Sequence, residues 1–159
     1  MTQRILVGTD GSEESNQAVQ WCTEFALANT GVEVIACHVV STFGEWLLSI
    51  GQVDYQKVEE EHRHLLAGPW TEPLRAAGVA YDVEQTTGDP AKQLLAVADE
   101  RDVDLIVVGK SGHGAAGDLV LGSTAAKLTH RTTRPLLVVP RRRAEHPPVH
   151  EERHVPIPG

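Results

Sequence analysis

The chain has 159 residues, the length of one ordinary domain, and at 41% hydrophobic it can bury a core without disulfide or metal staples. Aromatic residues make up only 4%, so that core is built from Val, Leu, Ile and Ala. The formal net charge is −8, and outside residues 141–159 the chain carries 10 basic and 19 acidic residues, a surface that repels nucleic acid and anionic membranes.

In chain order, Ile5-Leu6-Val7 is an apolar run of the kind that forms a strand buried on both faces. It follows the N-terminus directly, so no signal peptide is expected. The turn Gly8-Thr9-Asp10-Gly11 leads to Ser12, a helix cap, with Glu13 and Glu14 in the first turn, where the helix dipole favours acids. Ala18, Cys22 and Phe25 carry the helical period, and Gly31 stops the helix. Val32 to Val40 reads as the second strand and Ser41 to Asp54 as a loop. A polar helix is predicted from about Gln56 to Ala77, interrupted at Gly68-Pro69. Val79 to Glu84 is the third strand. Gly88-Asp89-Pro90 starts the next helix, with Asp89 as cap and Pro90 in the first helical position. Leu105 to Val108 is the fourth strand. A glycine-rich loop then runs from Gly109 to Gly122, a helix from Ser123 to about Arg131, and a fifth strand from Leu136 to Val139.

Strict β-α alternation implies a parallel, Rossmann-like α/β sheet with helices on both faces. No stretch is apolar for the roughly 18–20 residues of a membrane span. Cys22 and Cys37 lack metal-type spacing and read as buried, reduced thiols of a cytoplasmic protein. Residues 1–140 are the domain. The tail 141–159 has no apolar period and is expected to be disordered. His146, His150 and His154 within it are four apart, but Pro147 and Pro148 disfavour the helix a metal would need, so no metal site is assigned.

In an acidic protein, phosphate must be held by local backbone N–H groups and helix ends. Doubly wound sheets bind ligands outside the carboxyl ends of their strands, where the strand order reverses. Two such ends are chemically unusual: Gly8-Thr9-Asp10-Gly11-Ser12, and Gly109-Lys110-Ser111-Gly112-His113-Gly114. Glycines 109, 112, 114 and 117 suit a phosphate cradle by exposing backbone N–H groups in conformations closed to other residues. Gly122-Ser123-Thr124 opens a helix whose N-terminus favours an anion. The pattern is neither a P-loop, lacking its upstream glycine, nor the dinucleotide fingerprint, which occupies the first strand–helix turn. His38, in a strand pattern, reads as a satisfied core histidine; His62 and His64, on a charged helix, read as solvated surface. A phosphorelay receiver is rejected, because Gln85-Thr86-Thr87 and Pro140 stand where its Asp and Lys belong.

Gly109-x-x-Gly112, nine residues, then Gly122-Ser123 resembles the ATP-binding signature of the universal stress protein family. The segments Ile5 to Ser12, Leu105 to Val108 and Arg134-Pro135-Leu136-Leu137-Val138-Val139 are similar as well, so the likeness spans residues 3 to 140. The resemblance implies a sheet order of 3-2-1-4-5 and a bound ATP. Gly109, Gly112, His113, Gly122, Ser123 and Thr124 would face the phosphates and ribose, Gly8, Thr9 and Asp10 the nucleoside, and Val39 or Val40 the adenine. Family members often carry Arg where this chain has Ser111, and here Lys110 is the adjacent cation. ATP with Mg2+ is the expected cofactor, and a nucleotide-dependent sensor or regulator the expected role. A slow ATPase or phosphotransferase is the alternative, with Asp10 the one residue placed to act as a base. A dimeric adaptor that needs no nucleotide is the third reading. The apolar edge strand Leu136-Val139 is expected to pair with its own copy in a homodimer. Neither nucleic acid nor membrane is expected as a partner.

Overall fold

Ile5, Leu6 and Val7 have no exposure at all, as a strand covered on both faces requires. They belong to β1 (Gln3–Gly8), the middle strand of a five-stranded sheet. The structure, a computed structural model, describes residues 1–41, 54–111 and 120–141. The other strands are β2 (Val32–Ser41), β3 (Tyr81–Gly88), β4 (Leu105–Gly109) and β5 (Leu136–Val139). All pairings are parallel and the order is β3-β2-β1-β4-β5. This is the expected order, and it differs from the 2-1-3-4-5 order of the receiver fold.

Helices cover both faces, and the strand pleat divides the core between them. Ile5, Val7, Val34 and Ala36 pack with Ala18, Val19 and Cys22 of α1 (Glu13–Ala28), Leu66 of α2 (Tyr55–Ala67) and Leu74 of α3 (Glu72–Ala76). Leu6, Ile35, Cys37, Ile106 and Val108 pack with Leu94 and Val97 of α4 (Pro90–Glu100) and Ala125 and Leu128 of α5 (Ser123–Arg131). Both cysteines are buried and free, and burial pushes each thiol up to about 12. Neither is a nucleophile at neutral pH.

The helix predicted from Gln56 to Ala77 is interrupted at Gly68-Pro69 as expected, giving three pieces: α2, a 3-10 turn at Pro69–Thr71, and α3. Proline 69 has no N–H to continue the helix, and Thr71 Oγ1 ties the break shut by donating to Leu66 O at 2.7 Å. β3 begins two residues later than expected and runs on through Gln85, Thr86 and Thr87 to Gly88. These polar residues are strand because ten-residue β2 supplies ladder partners as far as Ser41↔Gly88. No helix among the described residues is long and apolar enough to cross a membrane.

Candidate functional site

The site is built where β1 and β4 lie side by side, the point at which the chain switches from adding strands on one side of β1 to adding them on the other. Gly8 closes β1, and a Cβ there would meet Leu94 Cδ1 at 3.2 Å and Val108 Cγ1 at 3.3 Å. Its open side therefore faces the α4 and α5 layer. The turn after it is tied by its own side chains. Thr9 is buried, its N–H donates to Cys37 O at 2.9 Å, and its hydroxyl lies 3.2 Å from Ser15 Oγ. Asp10 Oδ1 accepts the Ser12 N–H at 2.9 Å, and Ser12 Oγ accepts the Ser15 N–H at 3.3 Å. Gly11 has φ +76°, and a Cβ there would sit 2.4 Å from Trp70 Nε1, so both backbone and neighbour demand glycine.

At the end of β4 the reasoning from sequence needs correction. Gly109 is not in a conformation closed to other residues: it is absent from the left-handed glycines, which are Gly11, Gly31, Gly78 and Gly88. It is glycine because the first turn of α1 lies on it; a Cβ would come within 2.7 Å of the Glu14 carbonyl carbon. Lys110 clamps the loop that follows. Its N–H donates to Val139 O at 2.8 Å, and its own carbonyl accepts the Gly122 N–H at 2.8 Å. Ser111 is half-buried beside it. Gly112, His113, Gly114 and Gly117 lie outside the described residues.

Gly122 stands at the N-cap of α5 with φ −59° and ψ 153°, a region open to any residue. No side chain among the described residues caps this helix. The first intrahelical bond is Ala126 N–H to Gly122 O at 2.9 Å, which leaves the N–H groups of Ser123, Thr124 and Ala125 ahead of it. Ser123 is exposed and Thr124 half-buried. One turn further on, Lys127 pairs with Asp89 at 2.5 Å. That hydrogen bond, with a second from the Lys92 N–H, holds the Asp89 carboxyl below its ordinary range.

The two valines offered for the adenine fall on opposite faces. Val39 packs on the cluster that contains Ala125 and Leu128 of α5. Val40, buried at 5% exposure, alternates to the α1 and α2 face with His38. Of the two, Val39 shares a face with the start of α5 and Val40 does not.

A second cluster touches the site from below, and half of it was missed. His38 is a satisfied core histidine as expected, with Nδ1 2.9 Å from Thr9 O. His62 is not solvated surface: it is half-buried, and its Nδ1 lies 3.1 Å from His38 Nε2. Trp70 closes edge-on against His38, ring centroids 4.9 Å apart. The signal for His62 was its place in the Tyr55, Glu59, His62, Leu66 series, the helical spacing of a buried stripe.

Comparison with known proteins agrees with this architecture. The sequence model of the universal stress protein family matches residues 1–140. A universal stress protein of Mycolicibacterium smegmatis (strain ATCC 700084 / mc(2)155) is 33% identical over 138 residues, 85% of this chain, and the match spans 45% of that longer relative. Among solved structures, hypothetical protein MJ0577 superposes with a TM-score of 0.78 at 24% identity, covering 91% of this chain and 99% of the other; at that identity the likeness speaks for the fold. A universal stress protein in complex with cAMP superposes with a TM-score of 0.62 at 26% identity, covering 89% and 98%.

Proposed function

The chain belongs to the universal stress protein family, and from that premise we propose that it is a nucleotide-dependent sensor or regulator that binds ATP with Mg2+ between β1 and α5. The observation that carries this reading is the N-terminus of α5, which no described side chain caps and which the Gly122 N–H ties to Lys110 at the end of β4, by the switch point of the sheet. It offers N–H donors and a positive dipole end where the rest of the chain is acidic. The donor set fits a triphosphate: backbone N–H groups of Ser123, Thr124 and Ala125, the two hydroxyls, and the Lys110 ammonium. Bound Mg2+ would screen the phosphate charge. The relative solved with cAMP supports an adenine ring on the Val39 side of β2.

Asp10 is a poor base for hydrolysis, since its Oδ1 already accepts the Ser12 N–H; this favours regulation over turnover. The regulated unit is proposed to be a cytoplasmic homodimer. β5 is an edge strand whose residues, Leu136 to Val139, are all half-buried and apolar, and such an edge is seldom left bare. Isothermal titration with Mg-ATP, run beside light scattering, tests both parts. A binding isotherm and a dimer mass are expected. No heat at millimolar ATP would overturn the nucleotide reading, and a monomer at micromolar concentration would overturn the dimer.

A further inference from the structure

The interface between α2 and the sheet is polar at its centre. Of the residues on α2 only Leu66 is buried. Toward β2 and β3 the helix presents Glu59 and His62. His38 and Gln85 stand opposite, side by side in the β2–β3 register. The Gln85 amide nitrogen donates to Glu59 O at 3.0 Å, and the Thr87 hydroxyl to Glu59 Oε1 at 3.1 Å. Gln85 Oε1 is buried with no hydrogen-bond partner among the described residues, so this interface is under-satisfied even at rest.

The proton arrangement in the histidine pair follows from its partners. A carbonyl only accepts, so His38 Nδ1 carries a proton and donates it to Thr9 O across 2.9 Å. That leaves His38 Nε2 facing His62 Nδ1 across 3.1 Å, a gap that holds one proton and no more. With both rings neutral, His62 donates. With one positive charge on the pair, the charged ring donates the single bridging proton and the neutral ring accepts it. With two, N–H meets N–H and the contact cannot persist. His38 is 5% exposed and held by Thr9 and Trp70, while His62 is half-buried on α2. His62 is therefore the ring that leaves.

We propose that the His38–His62 pair is an acid-sensitive latch: the second proton drives α2 off β2 and β3 and takes His62 away from Trp70, whose ring lies against Gly11, loosening the turn that carries Asp10 while His38 keeps its hold on the Thr9 carbonyl. The surrounding groups set the direction. Burial and the neighbouring His62 disfavour charge on His38, while the Thr9 carbonyl and Asp10 favour it, and the balance holds its pKa below 6.5. On α2, the carboxylate of Glu59 is engaged by Thr87. β3 adds Gln85 and Thr87 on this face, its Glu84 alternating to the other, where it pairs with Arg101 at 3.1 Å. The 3-10 turn adds the uncharged Trp70. Lowering the pH from 7.5 toward 5 adds protons to imidazole rings, and the 3.1 Å gap has no room for a second one. His38 is thus a positioning residue for the turn, and the consequence for nucleotide affinity rests on the ATP reading above.

Amide hydrogen exchange of the nucleotide-free, full-length protein, corrected for intrinsic rates, decides the latch. Between pH 7.5 and about pH 5, protection in residues 55–67 should fall about tenfold or more, the scale of one proton linked over one pH unit, while β1 and β4 keep theirs. In His62→Asn, which keeps a hydrogen-bonding group near Nδ1 but cannot become charged, that segment should not respond; His38→Asn, which keeps a donor toward Thr9 O, serves if the first variant does not fold. Unchanged protection in the parent, or the same loss in a folded variant, overturns the latch. Mg-ATP titrations on the same samples read the coupling. The parent should bind about tenfold more weakly at the lower pH, and the variant, which cancels the nucleotide's own titration, by less than about twofold. Equal affinities alongside a released α2 overturn the link to the turn. Absence of binding at any pH overturns the ATP reading, and the exchange result still decides the latch.

Discussion

Among the described residues four helices have nine residues or more, and they begin in two different ways. α1, α2 and α4 are closed by their own side chains: Ser12 accepts from the Ser15 N–H, Asp54 from Gln56 and Lys57, and Asp89 from Lys92. α5 begins at Gly122 with no side-chain cap and no acid in its first turn. The difference lies in sequence and not in fold, because a Ser or Asp fits the backbone angles of residue 122 as well as glycine does. Three ends are satisfied by their own caps; the fourth has no cap among the described residues, and it lies, like the capped start of α1, by the switch point of the sheet.

Mutations at the two glycines flanking the loop sharpen that contrast. Gly109→Val should have the largest effect on the fold. Its Cβ would press on the Glu14 backbone at 2.7 Å, and overpacking against a backbone with nowhere to move costs about 3 kcal/mol. Urea denaturation measures it, and a loss below about 1 kcal/mol would mean that α1 adjusts. Gly122→Asp should be the reverse. It gives α5 the cap the other helices have, so stability should hold or rise by a few tenths of a kcal/mol, while a carboxylate at the phosphate position abolishes ATP binding. A folded Gly122→Asp that binds Mg-ATP as well as the parent would place the ligand elsewhere. Ser12→Ala should have the smallest effect, removing one cap for about 1 kcal/mol and leaving ATP affinity within about threefold, because the Ser12 hydroxyl faces the Ser15 N–H and not the switch point.

The sheet could be read from sequence because apolar runs such as Ile5-Leu6-Val7 and Leu105 to Val108 admit no other burial, and because Ser12 and Asp89 announce their helices. The strand order came from the family resemblance and not from periodicity. The misreadings share a cause: polar residues in partly covered places. Gln85-Thr86-Thr87 reads as loop until β2 is seen to pair with it, and His62 reads as surface until Trp70 and His38 are seen on its inner side. Gly109 was expected to hold a conformation closed to other residues, and it does not. Its requirement comes from helix α1, nearly a hundred residues earlier in the chain, and pattern within the loop cannot reveal that.

The paired hydrogen bonds of Lys110, one to Val139 and one from Gly122, make a neck. Residues 110 and 122 are held together by the sheet whatever lies between them, so the segment they enclose is bounded like a cassette. Lengthening such a closed loop is cheap, about 0.6 kcal/mol for each doubling. β4, β5 and α5 meet at this neck, so residues 110 and 122 are the two fixed ends between which the sequence of the proposed nucleotide site can vary.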